Sequence, residues 1–204
     1  IEDDYETYLV KLIDLDKIRV TDEKVFFFFF YIMEEDITNN LAQINALPPK
    51  NFPIFPTEIV KLQEELKVTY NEEQLEAIKN ALENRVSIIT GGPGTGKTTI
   101  VKAITKLYIK LHNLTNHDIN SNIALIAPTG RASKKLAEAT GLGASTIHRF
   151  LKWNKDSNDF QINEFNPNVQ KLIIVDETSM IDTNLFAALL KGINKNIQLI
   201  LVGD

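Results

Sequence analysis

The segment Gly91-Gly92-Pro93-Gly94-Thr95-Gly96-Lys97-Thr98-Thr99 carries the strongest chemical signal in the chain. It satisfies the pattern G-x-x-x-x-G-K-[ST] in full, and all nine residues are expected to form a nucleotide-binding loop. Glycines at this spacing let successive backbone N–H groups turn inward on an anion at the head of a helix. Lys97 would reach the β- and γ-phosphates of ATP, and the Thr98 hydroxyl would ligate Mg²⁺. A second signal is Asp176-Glu177, two acids directly after the apolar run Leu172-Ile173-Ile174-Val175. Asp176 is expected to hold Mg²⁺ through water, and Glu177 to position and deprotonate an attacking water. Adjacent residues at a strand end point to opposite sides, which suits two different jobs. Asp204 closes another apolar run, Ile197 to Val202, and is placed with Lys97 and Glu177 as a catalytic group. Gln74 precedes the loop; its amide can pair with both the donor and the acceptor of adenine. It also stands three residues after Asn71, the spacing of a capping box, so it has a structural role open to it as well.

These residues need elements to bring them together. Val86 to Thr90 reads as a buried strand leading into the glycine loop, and Ile100, Val101, Ile104, Leu107 and Leu111 recur at helical spacing after it. Ile123 to Ala127 is a second strand, broken by Pro128-Thr129-Gly130, with a helix from Arg131 to Thr140 ended by Gly141. Ser145-Thr146 starts a short helix, and the polar stretch 152–170 reads as a surface excursion or loose hairpin. Leu172 to Val175 and Ile197 to Val202 are the third and fourth strands, separated by a helix over Thr183 to Lys191. Strands alternating with helices predict an α/β fold with a parallel, doubly wound sheet. In such sheets ligands bind at the carboxyl ends of strands, where Gly91, Pro128, Asp176 and Asp204 all fall.

Residues 1–68 read as a separate small module. A helix through Leu9, Leu12, Ile13 and Leu15 is followed by a hairpin, with Ile18-Arg19-Val20 and Val25 to Ile32 as strands and Thr21 to Lys24 as the turn. The run Phe26 to Phe30 lies in the second strand and is expected to be covered, because an exposed run of this kind aggregates. Ile37, Leu41, Ile44 and Leu47 then mark a helix. The order helix, hairpin, helix is compatible with a winged-helix-like α+β module. The four prolines between Pro48 and Pro56 read as a linker to the larger unit, 69–204.

The chain has 204 residues and no cysteine, which removes disulfides and thiolate metal sites and suits a reducing cytoplasm. No apolar run is long enough to span a bilayer, so no membrane partner is expected. The net charge of −5 hides an asymmetry. Residues 1–70 hold seven Lys/Arg against fourteen Asp/Glu, whereas residues 97–155 hold ten against two. That basic band is a candidate footprint for phosphate backbones. The chain starts on Ile1 and stops on Asp204 directly after a strand-like run, so it reads as a piece of a longer protein, truncated at the end of the larger unit.

The motifs GGPGTGKTT, LIAPTGRASKKL, GASTIHRFL, LIIVDETSMID and LILVGD, preceded by NEEQ, resemble motifs I, Ia, Ib, II, the start of III and the Q motif of RecD-like DNA helicases in superfamily 1B. The resemblance covers about residues 69–204. A Pif1-like helicase of the same superfamily is the near alternative. The resemblance implies a RecA-like P-loop NTPase domain, with helices flanking its sheet, that uses ATP and Mg²⁺ to move 5′ to 3′ along single-stranded DNA. It implies that Gln74 contacts adenine. It places Pro128, Thr129, Gly130, Arg131, Thr146 and His148 along the DNA. It further implies a second RecA-like domain in the parent chain, supplying an arginine finger, and other recombination or repair proteins as partners. Without that domain the residues present are expected to lack helicase activity. A non-catalytic nucleotide switch is the alternative from another class; Glu177 favours catalysis, since a switch needs no such base.

Overall fold

The computed structural model of the chain describes residues 2–22, 24–50, 52 and 55–204. It opens with α1 (Glu2–Asp14), the antiparallel pair β1 (Ile18–Thr21) and β2 (Lys24–Phe27), and α2 (Phe28–Asn45). Of the expected turn between β1 and β2, Glu23 lies outside the described residues. The phenylalanine run is not a covered strand. It changes from strand to helix after Phe27, and Phe27, Phe29 and Phe30 are exposed. Helix α2 starts at Phe28 and is anchored downstream, where Ile44 is buried in the core with Ile37 and Leu41 packed beside it. Phe28 closes the edge of the two-stranded ribbon by donating its N–H to the Lys17 carbonyl at 3.0 Å, and two strands alone bury little apolar surface.

The proline-rich stretch is also shorter as a linker than expected. Its Asn51, Pro53 and Ile54 lie outside the described residues, and α3 (Phe55–Leu66) begins before Pro56. Proline is tolerated in a first helical turn because its missing N–H has no intrahelical acceptor there. Then come α4 (Glu72–Glu83), β3 (Val86–Thr90), α5 (Lys97–Leu111), α6 (Ile119–Asn122), β4 (Ile123–Ala127), α7 (Gly130–Thr140), β5 (Ala144–Thr146) and α8 (Ile147–Phe150). The chain finishes with the small antiparallel pair β6 (Trp153–Asn154) and β7 (Asp159–Phe160), then β8 (Leu172–Val175), α9 (Thr183–Gly192) and β9 (Gln198–Gly203).

The central sheet is parallel and five-stranded, in the order β3-β9-β8-β4-β5. The sequence reading has four strands; β5 is the fifth, three residues long and too short to show a period. β3 is an edge strand rather than a buried one, and its Ile88 is 69% exposed. Alternation along the inner strands sends Leu125, Ile174 and Ile200 to one face and Ile126, Ile173 and Leu199 to the other. The first face packs on α3, α4, α5 and α7 through residues such as Leu62, Ile78, Ile104 and Leu136. The second packs on α8 and α9, and Ile44 of α2 is fully buried in the same core. An ion pair of 2.6 Å between Lys191 and Asp36 joins α9 to α2.

Candidate nucleotide site and nucleic-acid face

The glycine loop runs from the end of β3 to the first residue of α5, Lys97. Gly94 and Gly96 have φ of 79° and 87°, left-handed values that a side chain would strain. A Cβ at Gly96 would also meet the Gln74 amide nitrogen at 2.8 Å. Thr95 closes the loop on itself, its hydroxyl donating to the Gly92 carbonyl at 2.9 Å. Lys97 Nζ donates to the carbonyls of Gly91 and Gly92 and pairs with the carboxylate of Asp204. The Asp204 side chain is 56% exposed, so the pair is open to water and exchangeable at small cost. A lysine held by one carboxylate and two carbonyls is held by the kind of oxygen set a β,γ-phosphate would replace.

Strand order explains why these residues meet. β9 lies between β3 and β8, so Asp204 stands between the glycine loop and Asp176 at the carboxyl end of the sheet. Asp176 donates its N–H to the Ile126 carbonyl at 2.9 Å, which ties it to β4. Burial raises the pKa of its carboxyl; the Glu177 N–H bonded to it at 3.0 Å opposes this, the like charge of Glu177 adds to it, Lys97 opposes it, and Asp204 adds to it. A partly buried carboxylate with a raised pKa is one that a cation would stabilise. Among the described residues no group of three or more His, Cys, Asp or Glu could hold a metal unaided. Mg²⁺ takes one or two protein oxygen ligands and completes its shell with water and phosphate, so the Thr98 hydroxyl and the Asp176 carboxylate are ligand types that could hold it.

Glu177 differs from Asp176 for another reason than strand alternation. β8 ends at Val175, and Glu177 has a φ of 54°, opening a 3-10 turn over Thr178–Met180. The Thr178 hydroxyl bonds the carbonyls of Val175 at 3.1 Å and Val202 at 2.9 Å, fixing this turn between β8 and β9.

Gln74 does two things at once. Its Oε1 accepts the Asn71 N–H at 3.1 Å while Asn71 Oδ1 accepts the Gln74 N–H at 2.8 Å, a complete capping box on α4. Its Nε2 donates to the Thr95 carbonyl in the glycine loop at 3.1 Å. Both ends of the amide are engaged, and the tether to Thr95 carries no sequence signal.

The residues assigned to the nucleic-acid face cluster at the ends of β4 and β5, which are paired through Ala127 and Thr146. Thr129 and Thr146 are helix N-caps, accepting from the N–H groups of Ala132 and Arg149, each at 3.2 Å. Pro128 is half-buried; Gly130, Arg131 and His148 are exposed. Not all of the basic band belongs here: Lys106 and Lys110 of α5 pair with Glu65 of α3 at 2.6 and 3.4 Å. Beside His148 stand two rings the motifs do not include, Trp153 and Phe160, which a pair of aromatics flanking a short turn could have signalled.

A P-loop and two strand-end acids on a parallel sheet define the nucleotide site of a P-loop NTPase. A profile described as an AAA domain matches residues 74–204. An ATP-dependent RecD2 DNA helicase from Deinococcus radiodurans is 37% identical over 134 residues, covering 66% of this chain and 17% of that protein. RecBCD enzyme subunit RecD from Mycolicibacterium smegmatis is 39% identical over 150 residues, covering 65% of this chain and 27% of the relative. The chain thus spans less than a third of the length of these relatives. The crystal structure of Pif1 helicase from Candida albicans aligns with a TM-score of 0.50 at 24% identity, covering 67% of this chain and 33% of that one, a likeness of fold. The chain belongs to the RecD-like family of superfamily 1 helicases, through its AAA domain.

Proposed function

We propose that residues 69–204 are the ATP-binding motor domain of a 5′–3′ DNA helicase that couples ATP hydrolysis to translocation on single-stranded DNA, with residues 1–68 as an accessory module. The observation that carries this reading is the convergence of Lys97, Asp176, Glu177 and Asp204 from three neighbouring strand ends. Backbone N–H groups of Gly91 to Thr99 and the Lys97 ammonium would hold the phosphates. Thr98 and Asp176 would hold Mg²⁺, which supplies charge neutralisation between the β- and γ-phosphates. Glu177 would take the proton of the attacking water, and Gln74 would face the adenine. Pro128 to Arg131, Thr146 and His148 would run along the strand, Thr129 and Thr146 orienting their segments as caps. Single-stranded DNA is the proposed substrate track, with recombination or repair proteins as partners and a cytoplasmic setting.

An arginine finger contributes on the order of 10³–10⁵ in rate in P-loop enzymes. Among residues 1–204 no second RecA-like domain is described that could supply one. Residues 1–204 by themselves should therefore bind ATP, hydrolyse it slowly and respond little to single-stranded DNA. The test is steady-state ATPase with and without single-stranded DNA, on residues 1–204 and on the same residues joined to a second RecA-like domain from a RecD relative. DNA-stimulated turnover in the joined protein, lost in Glu177→Gln with ATP binding kept, is expected. Binding without hydrolysis in every form would instead favour a nucleotide switch.

A further inference from the structure

The β6–β7 hairpin builds an aromatic surface that the motifs do not cover. Trp153 and Phe160 are register partners across it, with ring centroids 4.8 Å apart at 63°. His148 closes the cluster, 5.8 Å from Phe160 and 6.2 Å from Trp153. The support beneath is rigid. Ile147 and Leu151 on either side of His148 are fully buried, and Ile162 donates its N–H to the Leu151 carbonyl at 3.0 Å. Phe160 and Ile162 pack on the second core. Trp153, by contrast, keeps 38% of its surface exposed.

The charges around the rings are also unspent. Arg149 and Lys152 adjoin His148 and Trp153 in the chain and Lys155 follows in the hairpin, and among the described residues none of them pairs with a carboxylate within 4.0 Å. The hairpin carries two acids, Asp156 and Asp159; Asp159 turns its carboxylate to the Phe160 N–H at 2.7 Å. An exposed ring face among unpaired cations is complementary to a flat base joined to a phosphate backbone. Bases in a duplex are already stacked on one another, so only an unpaired base can lie on the indole.

We infer that Trp153, braced from the side by Phe160, is a stacking platform for an unpaired base of a single strand, at the edge of the strand-binding face marked by Thr146 and His148. This rests on the single-strand reading proposed above. It adds a contact that is insensitive to sequence, because every base has a π face.

Trp153 is the single tryptophan in the chain, so its fluorescence reports on the site without a label. The 204-residue chain is titrated with oligothymidylate at low ionic strength, while anisotropy of an end-labelled strand measures binding independently. Tryptophan emission is expected to be quenched in step with binding. Trp153→Ala should weaken binding roughly 5- to 150-fold, the range for loss of one base stack, and Trp153→Phe should restore most of it. A strand of equal length made of abasic sites should bind the wild type and Trp153→Ala equally, and the salt dependence should be the same in both, since no phosphate contact is lost. Binding of oligothymidylate with unchanged emission and equal affinity for Trp153→Ala would overturn the platform while leaving the single-strand reading intact. No binding of either strand by the wild type would overturn both.

Discussion

Gln74→Glu separates the two uses of this side chain. The glutamate keeps an oxygen for the Asn71 N–H, now 3.1 Å from Oε1, so the capping box survives. An acid in the first turn of α4 also gains about 0.3–1 kcal/mol from the helix dipole. The donor to the Thr95 carbonyl disappears, a net loss of about 0.5–1.5 kcal/mol for an ordinary hydrogen bond. These oppose each other, so stability should change by less than about 1 kcal/mol. Asn71→Ala removes the cap itself, should cost about 1 kcal/mol, and should lower Tm by about 2–4 °C in a chain of this size. For nucleotide the outcome reverses. Two unopposed hydrogen bonds to adenine would contribute about 1–3 kcal/mol. The wild-type amide, however, must first release two partners at 3.1 Å each. The net preference for adenine is therefore small, and Gln74→Glu should weaken ATP binding only about fivefold, or about 1 kcal/mol. CTP, with no adenine to read, should bind both proteins alike. Thermal melts give the stability arm, and calorimetry with ATP and CTP gives the other. Equal Tm losses in Gln74→Glu and Asn71→Ala would refute the capping argument. Unchanged ATP affinity, or a loss above about 50-fold, would refute the competition between base and tether.

Other outcomes follow from single features. Lys97→Ala should abolish nucleotide binding by calorimetry, since it removes the ammonium proposed to hold the β- and γ-phosphates; retained affinity would undo the site assignment. Leu62→Ala in α3, fully buried against α5, should destabilise the chain by about 2–5 kcal/mol in urea unfolding, although α3 lies outside the matched AAA domain. His112 accepts from Lys50 Nζ at 3.3 Å and donates from Nδ1 to the Tyr108 carbonyl at 3.0 Å; burial lowers its pKa, the Tyr108 bond opposes this, and the Lys50 charge adds to it. A lowered histidine pKa means the unfolded chain takes up a proton first as pH falls. Its contribution is therefore complete above about pH 6.5 and lost below it. Melting temperature should fall between pH 7.5 and 5.5, and less so in His112→Gln.

The parts legible in the sequence are those that neighbours decide. The glycine loop is a local conformation, set by which residues tolerate positive φ, so Gly94 and Gly96 could be read directly. The Asn71–Gln74 box closes over three residues, and the inner strands β4, β8 and β9 are apolar runs because both their faces are covered. What only the tertiary structure decided depends on residues far apart. The Phe26 to Phe30 run became half strand and half exposed helix because α2 extends upstream from its anchor at Ile44. β5 is a strand only because β4 offers it an edge, and its three residues have no period of their own. Strand order put β9 between β3 and β8, bringing Asp204 to Lys97 across 107 residues and beside Asp176. Trp153 and Phe160 met His148 only once β6 and β7 had paired. Residue types and local spacing name the groups able to do the chemistry, because torsional preferences and short-range hydrogen bonds act within a few residues. Which groups meet is settled by burial of both sheet faces and by strand pairing, and those energies belong to the whole chain.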